Sequence, residues 1–83
     1  MQQDARRLVV VEDEPLVQDL LVQELGRAGF EVRAASSSSA ARQLVAEFDP
    51  DVMLLDVDLG SGPNGIHLAH VLHETRPDIA VLI

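Results

Sequence analysis

Apolar positions along the chain alternate between two rhythms. Leu8 to Val11 is an unbroken apolar run, the pattern of a strand covered on both faces. Pro15 follows, suited to the first turn of a helix, where a missing N–H costs nothing. Leu16, Val17, Leu20, Leu21, Leu25 and Ala28 recur at helical spacing and predict one broad apolar stripe. Gly29 is placed to stop that helix. Phe30 to Ala35 alternates and reads as a short strand. The run "SSSS", residues 36–39, supplies N-cap candidates without saying which serine caps. Ala40, Ala41, Leu44, Val45 and Phe48 form a second helical stripe, broken by Pro50. Val52 to Leu55 is another buried strand, and "DLGSGPNG" is a loop. Ile66, Leu68, Ala69, Val71 and Leu72 predict a third helix, ending near Arg76-Pro77, and Ile79 to Ile83 a fourth strand.

The predicted order is therefore β-α-β-α-β-α-β. Strands alternating with helices indicate βαβ units, a parallel sheet and right-handed crossovers that put helices on both faces. The fold class is α/β, with a doubly wound parallel sheet. No linker or internal repeat divides residues 1–83, which read as one small domain. A domain of this size buries only about 60–65% of the surface its unfolded chain exposes, so its stability margin is thin.

Charge narrows the function classes. Fourteen acids against six basic residues give a net charge of −8. That argues against a nucleic-acid or anionic-membrane surface, both of which need clustered Lys and Arg. Two aromatics, Phe30 and Phe48, make no base-stacking platform. There is no cysteine, which excludes disulfides, thiolate zinc sites and thiol nucleophiles and is compatible with a cytoplasmic setting. The longest apolar run, Ile79 to Ile83, is too short to span a bilayer. Arg6 and Arg7 before an apolar run hint at a signal peptide, but Glu12 and Asp13 cut the run short.

The acids themselves carry the chemistry. In "VVVEDEP" an apolar strand runs straight into Glu12, Asp13 and Glu14; in "VMLLDVD" another ends on Asp56, with Asp58 two residues later. Parallel strands put their C-terminal ends on one edge. In the known doubly wound order 2-1-3-4, which the pattern does not itself dictate, strands one and three are neighbours about 4.8 Å apart. The crevice between their ends is where such folds bind ligands. Glu12, Asp13 and Asp56 are thus expected to converge. Three carboxylates in one pocket raise at least one pKa unless a cation joins them, and a hard ion such as magnesium suits oxygen ligands. With its charge relieved, Asp56 is a candidate nucleophile toward phosphorus.

"VVVEDEP", followed by "VMLLDVDL" and "NG", resembles the receiver domain of bacterial two-component response regulators. The resemblance covers nearly the whole chain and implies a flavodoxin-like receiver fold lacking its last helix–strand–helix part. It implies that Asp56 accepts a phosphoryl group from a sensor histidine kinase or phosphotransfer protein, with Mg2+ as cofactor. It also implies that Asp13 ligates the ion directly, Glu12 through water, and Asp58 through its backbone carbonyl, while the Asp58 side chain tunes the lifetime of the phosphorylated state. A phosphoacceptor of this kind is cytoplasmic and is no turnover enzyme.

Two departures stand beside the resemblance. The loop "LGSGPNG" is about one residue longer than usual, with Pro63 displaced. The Thr or Ser expected after the fourth strand, and the Lys after a fifth, fall beyond Ile83. From this follows an expectation of self-association, through an exposed fourth strand or the first helix. A non-switching interaction module that binds a kinase or another receiver is the second reading.

Other motifs are weaker. "GSGPNG" matches a dinucleotide-binding fingerprint, but Asp56 and Asp58 would repel a pyrophosphate and Pro63 removes an amide. "LLDVDL" also resembles the D-x-D of haloacid-dehalogenase-type phosphatases, without the Thr usual after it. His67, His70 and His73 recur every three residues; neighbouring pairs have zinc-ligand spacing, yet the drift around the helix keeps all three from one ion.

Overall fold

The structure is a computed structural model that describes residues 5–56 and 65–83. Seven elements follow in the expected order: β1 (Arg7–Val11), α1 (Pro15–Arg27), β2 (Glu31–Ala35), α2 (Ser38–Phe48), β3 (Val52–Leu55), α3 (Gly65–Thr75) and β4 (Ala80–Leu82). All strand pairs are parallel, in the order β2-β1-β3-β4. This is the first part of a flavodoxin-like sheet.

β1 is central, and its β-branched run suits that place. Leu8, Val9, Val10 and Val11 are all buried, which is what a strand covered on both faces requires. The main core gathers on one face: Val9 and Val11 of β1, Met53 and Leu55 of β3, Ala41, Val45 and Phe48 of α2, Leu68 and Leu72 of α3, with Ala35 and Ile79. Leu8 and Val10 have the opposite parity and point to the other face, where α1 packs against β1 and β2.

Local chemistry sets the helix ends. Pro15 opens α1 after an extended Glu14. α1 closes in a Schellman motif: Phe30 N–H donates to Leu25 O and Gly29 N–H to Gly26 O. Gly29 takes φ 104°, a left-handed value that a side chain would oppose. Ser37 is the cap of α2: its Oγ accepts the Ala40 N–H at 3.1 Å. Asp49 ends α2 in the left-handed region and Pro50 prevents its continuation.

Two expectations are corrected. The apolar stripe expected on α1 is split. Gln18, Leu21, Val22 and Leu25 are half-buried, whereas Leu16 and Leu20 are 78% and 58% exposed. At about 100° per residue, Leu16 and Leu20 stand roughly 160° from the face that meets the sheet. The fourth strand is also shorter than Ile79–Ile83. Ile79 is buried in the core but donates its N–H to Arg76 O, so the ladder begins at Ala80.

Candidate functional site

The sheet register builds the site. Val11 pairs with Ala35 on one side and with Leu55 on the other. The ladder runs one step further each way: Glu12 N–H donates to Ala35 O at 3.0 Å and Asp56 N–H to Val11 O at 2.9 Å. The residues just past two adjacent strands are therefore fixed side by side. Buried Val11 and Leu55 lie directly beneath them.

Glu12, Asp13 and Asp56 converge as the sequence suggested. One carboxylate oxygen from each lies within 4.8 Å of the other two; Glu12 and Asp56 are half-buried and Asp13 is exposed. Glu14 contributes its backbone: its N–H donates to Glu12 Oε2 at 3.1 Å. Its carboxyl is not part of the cluster. Asp58 lies outside the described residues, as do Pro63 and most of the "GSGPNG" loop.

The carboxyl groups of the site act on one another's protonation. Burial is the first cause that raises the pKa of Glu12 above its ordinary value. The Glu14 N–H works against this. A hydrogen bond to the Asp56 carboxyl and the charges of Asp56 and Asp13 push it up further. A cation would reverse all three carboxyl effects. Oxygens around a magnesium ion stand roughly 3–4 Å apart, so the cluster matches a hard divalent ion with small side-chain rotations. Three oxygen donors with no sulfur or nitrogen favour magnesium over softer metals.

Sequence reasoning missed Gln18. Its Nε2 reaches Glu12 O at 2.8 Å, Ala35 O at 3.3 Å and Ser36 Oγ at 3.2 Å. One side chain on α1 thereby ties the acidic turn to the end of β2. A single Gln among helical apolar positions carries no signal of such a role; only the folded geometry brings its three acceptors together.

The histidines of α3 do not assemble. His70 Nε2 is 3.2 Å from Glu74 Oε1, an exposed i,i+4 pair. Among the described residues the acidic trio is the one group of three potential ligands. No helix among them is long and apolar enough to cross a membrane.

Comparison with known proteins agrees with this geometry. The family model described as the response regulator receiver domain matches residues 8–83. Among solved structures, the response regulator protein TrrA from Thermotoga maritima, in complex with Mg2+ and BeF, is 28% identical with a TM-score of 0.85; the match covers 92% of this chain and 65% of that one. The MaeR response regulator bound to beryllium trifluoride is 30% identical with a TM-score of 0.84, covering 94% and 66%. The receiver domain of NtrX from Brucella abortus is 29% identical with a TM-score of 0.84, covering 89% and 62%. This chain spans less than two thirds of the length of each. The strand order, the converging carboxylates and the family match lead to one conclusion: the chain belongs to the response regulator receiver domain family.

Proposed function

We propose that the chain is a phosphoacceptor module of a two-component phosphorelay, with Asp56 as the acceptor and Glu12, Asp13, Asp56 itself and the backbone carbonyl of Asp58 as the magnesium set. The convergence of Glu12, Asp13 and Asp56 at neighbouring strand ends carries this reading. It is supported by a fold neighbour solved with Mg2+ and BeF.

In the reaction, an Asp56 Oδ attacks phosphorus. A P–N bond to a histidine of a sensor kinase or phosphotransfer protein breaks, and the nitrogen keeps the electron pair. An aspartyl phosphate forms, and the chain does not turn over. Bound magnesium supplies neutralisation of phosphoryl charge in this chemistry. The protein's own contribution is placement. The ladder bond from Asp56 N–H to Val11 O fixes the nucleophile's backbone, and Gln18 holds the turn that presents Glu12 and Asp13. The setting is cytoplasmic, and the partners are proteins rather than nucleic acid or membrane.

Acetyl phosphate with millimolar magnesium, read by intact mass, tests the proposal. A gain of one phosphoryl group, absent in Asp56→Asn, supports it. No gain at any magnesium concentration leaves a non-switching interaction module. Continuous release of product from p-nitrophenyl phosphate would instead point to a phosphatase.

A further inference from the structure

Among the described residues, two surfaces outside the acidic site have matching chemistries. The first is a groove between α2 and α3. Cavities of about 80 and 220 Å3 lie end to end there, sharing Arg42 and Val71 in their walls. Buried Leu68 floors one, and buried Val45 and Leu72 floor the other. His67 and Arg42 are the basic groups in the lining, and no Asp or Glu is among the described residues that form it. That is notable in a chain of net charge −8. Arg42 is exposed and makes no ion pair with any described residue, unlike Arg7 and Arg76.

The second surface is the outward side of α1. Leu16 and Leu20, one turn apart, form an exposed apolar ridge. Exposed Asp19 and Glu24 flank it at helical spacing. The ridge is the knob and charge pattern that an apolar groove with a basic wall would take.

We propose that the groove between α2 and α3 receives α1 of a second copy of this chain, Leu16 and Leu20 entering over Val71 while Asp19 or Glu24 meets Arg42. The fold dictates the form of the assembly. The right-handed crossover from β1 to β2 runs opposite to those from β2 to β3 and β3 to β4, so α1 lies on one face of the sheet and the groove on the other. A copy cannot give its α1 to the neighbour whose α1 it receives without bending round the sheet. The contact is heterologous and extends head to tail instead of closing as a two-fold dimer.

Sedimentation velocity of the 83-residue chain over a wide concentration range tests this. The expected result is a weight-average mass that rises past the dimer without a plateau. Leu20→Glu and Arg42→Glu, both at exposed positions and checked for fold by circular dichroism, should each weaken association at least ten-fold. An equimolar mixture of the two variants retains one intact groove and one intact ridge. It should form a one-to-one dimer and stop there. Asp56→Asn should associate as the parent does, so failure of phosphoacceptance and failure of this contact are separable. A chain that stays monomeric overturns the proposal. So does association that survives both charge-introducing variants, which would point to pairing along β4 instead.

Discussion

At the edge where the strands begin, Asp49 and Asp78 both bond the guanidinium of Arg76, and Asp51 accepts the N–H of Arg7. At the edge where they end, Glu12, Asp13 and Asp56 face one another. The same chain therefore compensates its carboxylates at one end and crowds them at the other. The first end behaves as structure. The Arg76 bonds hold Asp78 below the ordinary carboxylate pKa and raise that of Arg76, and Arg7 and Arg33 stack on the buried Phe48 ring. At the second end burial, followed by the neighbouring Asp56 and Asp13, raises the pKa of Glu12. Carboxylates that converge at one end, in a protein that pairs others with arginine at the opposite end, are the geometry on which the proposed magnesium site rests.

The contrast can be broken most sharply with magnesium. If the crowded end binds the ion, saturation to ten times Kd should stabilise the fold by about 1.4 kcal/mol, several degrees in Tm. Asp13→Asn should lose most of that gain in thermal melts. An equal gain in the variant would move the ion to some other acids. Next in size is Gln18→Ala, which removes three hydrogen bonds behind the acidic turn. Urea denaturation should show a loss of about 1–2 kcal/mol, with magnesium affinity falling as the turn loosens. Unchanged affinity would limit Gln18 to a role in stability.

The two ends should also answer pH with opposite signs. Glu12 binds its proton more tightly folded than unfolded, so its contribution is fully present below about pH 4.5 and is lost as pH rises through the raised folded value. Without divalent ions, Glu12→Gln should therefore stabilise the protein at neutral pH, by a fraction of 1 kcal/mol because the site opens to water. That gain should vanish in acid. A loss of stability at neutral pH would contradict the crowding. The smallest effect belongs to Arg76→Ala, whose ion pairs with Asp49 and Asp78 are on the surface. Asp78 contributes stability above its ordinary value of 3.8, and the contribution is lost as pH falls through its lowered folded value. The variant should be slightly destabilised at neutral pH and low salt, with the difference shrinking in high salt and in acid.

Much of this could be read from residues alone. Continuous apolar runs at Leu8–Val11 and Val52–Leu55 announced buried parallel strands, and acids placed just after both announced a shared edge. What stayed hidden depended on orientation. Leu16 and Leu20 looked like core because periodicity records a helix's apolar content, not which side meets the sheet. Four serines were equivalent cap candidates until the backbone of α2 chose Ser37. Gln18 gained its role partly from Ala35 and Ser36, and Arg76 partly from Asp49, all distant in the chain, which no local pattern encodes. The role given to Asp58 lies outside the described residues.

Phosphoacceptance at Asp56 is tested most directly by trapping the acyl phosphate. The chain is treated with acetyl phosphate, with or without magnesium, and then reduced with borohydride, which converts an aspartyl phosphate to homoserine. Peptide mapping should find homoserine at position 56 alone, dependent on magnesium and absent in Asp13→Asn. Homoserine at another aspartate, or equal yield after removal of all divalent ions, would contradict the site.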